Sequence, residues 1–281
     1  MNDGRLVAVI KGAGDLATGV ALSFHAAGFG VLMTELAQPT AIRLTVSFAE
    51  AVHTGSHSVE GVRALLATPE TWPSILGAGT VAVLVDPRAE VIASADAAVV
   101  VDAIMAKANT GTSKRNGAVV IALGPGFTAG EDVDAVIETM RGHELGRIIH
   151  GGCARPDTGT PGDISGRTSE RVLRAPRDGR VTSLKRIGDM VAAGDVVMHV
   201  DDEPVMAAIA GCLRGCISDR VQVRKGMKIG DVDPRGDAQY VHAVSDKARA
   251  VGRAALEAAL EIGRERGLFQ VVGEVRPTPA R

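Results

Sequence analysis

Residues 7–17 read Val-Ala-Val-Ile-Lys-Gly-Ala-Gly-Asp-Leu-Ala, a short β-branched run that breaks into Gly12-Ala13-Gly14 and then into a helical pattern. That order predicts a buried strand, a glycine turn and a helix N-terminus. Glycine lets the backbone turn tightly and present N–H groups to a phosphate, and the helix end adds about half a positive charge. The three small-residue slots of a G-x-G-x-x-A turn fall on Gly12, Gly14 and Ala17. A second strand over 31–34 ends at Glu35, where a dinucleotide-binding unit places the carboxylate for a ribose hydroxyl. Asp15 argues against an ordinary dinucleotide site, because two like charges about 4 Å apart repel by about 4 kcal/mol at an effective dielectric of 20. Either Asp15 turns away as a first-turn carboxylate that favours the helix dipole, or a metal ion or a non-phosphate ligand changes the local charge.

The rest of the 1–150 segment alternates apolar runs with helical stretches. The runs at 81–85, 97–101 and 118–123 have the texture of strands buried on both faces of a parallel sheet, so a Rossmann-like cofactor-binding domain is expected, with its ligand beyond the strands' carboxyl ends. Two such ends carry chemistry. Asp102, Lys107, Asn109 and Thr112 crowd one of them: Asp102 suits proton or metal chemistry, Lys107 suits an anion, and Asn109 and Thr112 suit hydrogen bonds to a planar heterocycle. A helix start capped by Asp102 explains the same residues structurally. At the other, Gly124-Pro125-Gly126-Phe127-Thr128 forms a second glycine loop whose remaining N–H groups face an anion, followed by a predicted helix that carries Glu138 and Arg141 and stops at Gly142-His143.

After a polar crossing loop at 151–170, the texture changes to short strands with Gly-Asp turns. Gly179, Val191, Gly194, Val197 and Val200 recur as Gly211, Val223, Gly226, Ile229 and Val232, each 32 positions on. The repeated half-motifs resemble the biotinyl/lipoyl type, which predicts a barrel-sandwich-hybrid β domain over 171–235. The turn between the halves, Asp201-Asp202-Glu203-Pro204, has no lysine, so neither biotin nor lipoate is expected there. A C-terminal helix and tail fill 236–281, the helix opening at an N-capping Ser245 and running to about Gly267, the last residues frayed.

The whole chain adds exclusions. With 31 basic against 33 acidic residues in 281, it has no electrostatic footprint for nucleic acid or an anionic membrane, and one Trp, one Tyr and five Phe offer few rings for stacking bases. Apolar runs are too short to span a membrane, and no signal-peptide layout opens the chain, so a cytoplasmic protein is expected. Cys153, Cys212 and Cys216 fit neither a redox pair nor a zinc knuckle and read as free thiols. The chain has no nucleophile elbow, HExxH motif or Walker A lysine.

Several of these stretches occur together in a known family. Lys-Gly-Ala-Gly-Asp-Leu-Ala-Thr-Gly at 11–19, Glu35 with Pro39 and Ile42-Arg43, Val-Asp-Ala-Ile-Met-Ala-Lys at 101–107, Gly-Pro-Gly-Phe-Thr-Ala-Gly at 124–130, Ile-Glu-Thr-Met-Arg-Gly-His at 137–143, Asp-Val-Asp-Pro-Arg at 231–235 and Ser-Asp-Lys-Ala-Arg-Ala at 245–250 resemble the YqeB-type accessory proteins of selenium-dependent molybdenum hydroxylase systems. The resemblance implies a maturation protein and carries no catalytic residue across; Cys153 receives no sulfur- or selenium-transfer role from it. The leading expectation is a protein that holds molybdenum cofactor, its nucleotide form or a related phosphate-bearing small molecule for an apo molybdenum hydroxylase. In it, Gly12, Gly14, Gly124, Gly126 and Thr128 shape the anion site, Asp15 and Asp102 hold a metal or ligand amines, and Lys107 and Arg43 offset ligand charge. Asp102 and Lys107 are the catalytic candidates if a reaction is catalysed, and the identity of any metal ligand stays open. The alternatives are an NAD(P)-dependent oxidoreductase, supported by the glycine turn and Glu35, and a non-catalytic assembly subunit.

Overall fold

The computed structural model describes residues 5–268. In chain order the elements are β1 (Val7–Lys11), α1 (Asp15–Ala26), β2 (Gly30–Glu35), α2 (Glu50–Thr54), β3 (Ser56–Val59), β4 (Val62–Ala67), α3 (Trp72–Gly77), β5 (Val81–Val85), β6 (Val99–Asp102) and β7 (Val119–Leu123). The short strands β8 (Thr128–Ala129), β9 (Ala135–Ile137), β10 (Ile148–Ile149) and β11 (Gly152–Cys153) follow. The second half contains β12 (Val172–Arg174), β13 (Gly179–Ser183), β14 (Met190–Val191), β15 (Val196–Val200), β16 (Glu203–Met206), β17 (Gly211–Cys216), β18 (Gln222–Val223), β19 (Lys228–Asp233) and α4 (Asp246–Glu265).

Nine strands form one sheet in the order β10-β9-β7-β6-β1-β2-β5-β4-β3. Its interior pairs are parallel, and β3 and β10 run antiparallel at the two edges. All five residues of β1 are buried because both faces are covered. Ala8 and Ile10 pack with Phe24, Ala248 and Val251 of α1 and α4, while Val7 and Val9 pack with Leu32, Leu76 and Val120 on the opposite face. A separate core containing Leu173, Val181, Val197, Leu213 and Ile229 lies between two four-stranded sheets, β12-β19-β17-β14 and β16-β15-β13-β18.

The arrangement corrects the expected fold. In place of a Rossmann-like parallel domain followed by a biotinyl/lipoyl-like barrel, the chain is a mixed α/β protein of several sheets: a mixed nine-stranded sheet, the β8–β11 ribbon and the two four-stranded sheets. Helical winding is incomplete, since no α-helix joins β6 to β7 or β7 to β9. The helix expected to carry Glu138 and Arg141 is replaced by β9. Here the Asp134 carboxylate accepts from Val120 N at 2.8 Å and Asp134 N donates to Val120 O at 2.8 Å, pinning the chain beside β7, and Val133, Val136 and Ile137 are fully buried there. The 32-residue repeat has a counterpart in the strands. β13, β14 and β15 recur as β17, β18 and β19, and each half's leading strand pairs with the other half's short strand, β13 with β18 and β17 with β14.

Ser245 caps α4 as its sequence implies, its hydroxyl accepting from Ala248 N at 3.1 Å. The helix lies against α1 at a crossing of two glycines: a Cβ on Gly19 would strike Ala248, and one on Gly252 would strike Gly19, both under 3.0 Å. No helix among the described residues is long and apolar enough to cross a membrane. The tail beyond residue 268 lies outside the described residues.

Candidate functional site

The glycine turn folds as its residues predict, and its surroundings are acidic. Gly12 has φ +92°, and a Cβ there would press the Ala103 carbonyl at 3.2 Å, so the turn sits tightly against the exit of β6. Gly14 is the N-cap of α1 and borders open space. Glu35 serves the turn itself, accepting from Ala13 N at 2.9 Å and from Leu36 N at 2.8 Å. Burial pushes its carboxyl up from the ordinary glutamate value, against the two backbone hydrogen bonds. The cavity above the turn, about 480 Å³, has Asp15, Glu35 and Asp86 on its wall and neither Lys nor Arg. A pyrophosphate placed there would face carboxylates.

The residues after β6 close on one another. Lys11 Nζ donates to Thr112 Oγ1 at 2.5 Å, Thr112 Oγ1 donates to Asp102 Oδ2 at 2.5 Å, and Lys11 Nζ stands 3.2 Å from the same oxygen. All three side chains are buried. This closed set ties β1, β6 and the following loop together. Asn109 brackets that loop, accepting from Gly111 N and Thr112 N and donating to Thr112 O. The hydrogen bonds of Asp102, Asn109 and Thr112 are thus spent within the loop and on Lys11 of β1. Lys107 is exposed and pairs with Asp157 at 2.6 Å on the rim of a different cavity.

That second cavity, about 340 Å³, lies where the two halves and α4 meet, and Asp15, Leu16 and Met105 belong to both cavities. Its wall carries Arg43, Lys107, Arg141, Arg155, Arg171, Arg214, Lys228 and Lys247 against Asp15, Glu138, Asp157 and Asp231. Three of the arginines are 6–7% exposed. Arg43 reaches from the segment after β2 and donates through Nη2 to the carbonyls of Tyr240 and Ala243 at 3.3 and 3.2 Å. Its Nε and Nη1 have no hydrogen-bond acceptor. Arg171 pairs with Asp231 through Nη1 and donates to Gly162 O at 3.0 Å through Nη2, leaving Nε unpaired. Arg214 stands 3.9 Å from both Asp231 and Asp233, beyond hydrogen-bonding distance, and its Nε is also unpaired. Asp233 is held instead by Arg235, at 2.9 and 2.6 Å.

Burial pushes the amines of Lys228 and Lys247 and the guanidinium of Arg214 down from their ordinary values, with nearby carboxylates opposing the shift. Arg141 is committed to Asp246 by two hydrogen bonds, 2.5 and 2.9 Å, which hold that carboxyl down at about 2. A cavity walled by eight cationic side chains against four carboxylates suits an anion.

The structure therefore brings Asp15, Arg43 and Lys107 to the cationic cavity and Gly12, Gly14, Asp15 and Glu35 to the acidic one. Gly124 and Gly126 flank Pro125 on the cationic wall; Gly126 is at φ +107°, and a Cβ there would strike the Ala108 backbone at 2.7 Å. Thr128 stands apart on β8, where its hydroxyl lies 3.4 Å from the exposed Cys153 thiol. Cys212 and Cys216 are buried free thiols. Among the described residues no group of three or more His, Cys, Asp or Glu is arranged to hold a metal ion. Arg171, Arg214, Lys228 and Lys247 were given no role from the sequence, although the 245–250 stretch of the family resemblance contains Lys247 and the 231–235 stretch follows shortly after Lys228.

No protein-family model matches the chain. Among solved structures, the ectoine utilization protein EutE (DoeB) from Ruegeria pomeroyi, in a product-bound form, overlaps 30% of this chain and 27% of its own at 20% identity with a TM-score of 0.20. An aspartoacylase family protein from Mesorhizobium loti overlaps 82% and 85% at 12% identity and 0.26. A succinylglutamate desuccinylase/aspartoacylase from Rhodobacter sphaeroides overlaps 81% and 85% at 12% identity and 0.26. Correspondence at those scores is too loose to define a shared fold. The sequence similarity is much closer: the chain is 48% identical over 258 residues to the uncharacterized protein YqeB of Escherichia coli strain K12, covering 92% of this chain. It spans 48% of that relative's length. The extent and level of this similarity support a YqeB-type family for the chain.

Proposed function

We propose that the protein holds a phosphate-bearing ligand of the molybdenum-cofactor class in the cytoplasm and passes it to an apo molybdenum hydroxylase, selenium-dependent in the systems whose YqeB-type accessory proteins this chain resembles. The observation that carries this reading is the cationic cavity, whose wall includes Arg43, Arg171 and Arg214, each with a buried N–H group left without an acceptor. Those residues suit the phosphate end of such a ligand. The adjoining cavity, with Glu35 and Asp86 as hydrogen-bond acceptors beside Leu16, Ile104 and Met105, suits the amino groups and the flat face of a pterin-like ring. An NAD(P) reading is weaker, because the three carboxylates around the glycine turn oppose a pyrophosphate there.

The test is maturation in cells. A strain lacking the protein is supplied with the wild type or with Arg214→Gln, and both hydroxylase activity and hydroxylase-bound pterin are measured. The reading predicts that the variant leaves the hydroxylase present in normal amount but inactive and poor in pterin. Full pterin loading and full activity with the variant would refute it.

A further inference from the structure

The buried charges in the cationic cavity are not balanced from within. Asp231 serves Arg171, and Asp233 serves Arg235, so Arg43 and Arg214 lack a carboxylate within hydrogen-bonding distance. Buried cations of this kind are costly unless an anion completes them. Asp15 comes nearest to doing so. Its Oδ2 lies 3.6 Å from Arg43 Nη1, near enough to offset charge and too far to satisfy the N–H. It also opposes the burial of Lys228 and Lys247 electrostatically.

The donors converge from five separate places: Arg43 after β2, Arg171 before β12, Arg214 on β17, Lys228 on β19 and Lys247 in the first turn of α4. Three guanidinium groups and two amines bring more positive charge than the single negative charge of a carboxylate offsets. A phosphoryl group, with three terminal oxygens and two charges, answers more of that charge and offers more acceptors.

We propose that Arg43, Arg171, Arg214, Lys228 and Lys247 form a subsite for a dianionic phosphoryl group, and that Asp15 is the internal counter-ion which that group displaces. This deepens the reading above and rests on it for location only. The phosphoryl group is either the end of an organic phosphate ester or free inorganic phosphate. Asp15 therefore lowers affinity while partly offsetting the charge of Arg43.

The experiment is calorimetric titration of the full-length protein with inorganic phosphate and, separately, with glycerol phosphate, at fixed ionic strength in a chloride buffer. Both probes are tested on the wild type and on Asp15→Asn, Lys247→Gln and Arg214→Gln. Lys247 forms no ion pair within 4.0 Å among the described residues, so its variant keeps the test valid if Arg214→Gln fails to fold. Saturable binding that tightens about tenfold in Asp15→Asn and weakens about tenfold or more in Lys247→Gln supports the subsite. A preference for the ester assigns an organic ligand, and equal binding assigns inorganic phosphate. Absence of saturable binding by either probe, or weaker binding in Asp15→Asn, overturns the proposal. Phosphoryl binding in a protein that neither takes up pterin nor supports hydroxylase maturation would leave the subsite standing and remove the cofactor reading; the reverse result would do the opposite.

Discussion

Glu35 shows how a side chain in the expected place can do different work. At the end of β2 it occupies the position of a ribose-binding carboxylate, yet both oxygens accept backbone N–H groups, from Ala13 and from Leu36. Its carboxyl is pushed up by burial, so the native state keeps a proton that the unfolded chain has already released. Stability linked to Glu35 is thus fully present below the ordinary value of 4.5 and falls as pH rises through the higher native value. Glu35→Gln removes that titration. The difference in unfolding free energy between wild type and variant, from denaturant titrations at several pH values, should move in the variant's favour as pH rises above 4.5. A difference that stays constant with pH would show that Glu35 does not titrate in this way. The sequence supplied the residue and its strand end; it did not supply the two backbone donors, which depend on how Gly12 turns.

At the scale of elements, five strands of the first half were legible, whereas β3, β4, β8, β9 and β10 and the connections were not. The run at Val81–Val85 matches β5 residue for residue, and β1, β2, β6 and β7 fall within a residue or two of their apolar runs, because burial on both faces leaves continuous β-branched segments. The segment at 135–137 misled because three apolar residues followed by Glu138 and Arg141 also fit a helical face; pairing between Asp134 and Val120 settles it as a strand. The place of α4 was open in the sequence, which offered it to either the sheet or the barrel. Gly19 and Gly252 decide it, by letting the two helix backbones meet closer than any side chain permits. Gly252→Ala should therefore destabilise the protein by about 1–3 kcal/mol or more, since the new methyl meets backbone and not a yielding side chain. It should also weaken phosphate binding, because lifting α4 carries Lys247 away from the cavity. A thermal melt and the phosphate titration on the same sample check both effects. A variant with unchanged melting would mean that the crossing has slack.

At the scale of the whole molecule, the cationic cavity was hidden from sequence because its charges are contributed 43, 171, 214, 228 and 247 residues along the chain. On short strands such charges read as the solvent face of an alternating pattern. Only the docking of the two halves turns them inward. Direct bonds across that docking include Cys216 N donating to Ile42 O at 2.8 Å, Arg220 donating to His53 O, Thr45 donating to Val241 O and Arg43 donating to the Tyr240 and Ala243 carbonyls. An anion that bridges Arg43 of the first half to Arg171 and Arg214 of the second acts as a further joint between them. Phosphate at about 100 times its dissociation constant should then add about 2.7 kcal/mol to unfolding as a single cooperative event. Trp72 is the chain's one tryptophan and lies on α3, within the first half, so its fluorescence reports that half while far-ultraviolet circular dichroism reports the whole. Both signals should shift upward together with phosphate in the wild type, and both shifts should shrink in Arg43→Gln, which leaves the second half's arginines in place but removes the bridge. If dichroism shifts while Trp72 stays put, the anion is held by the second half alone, and the cavity is not the joint between the two.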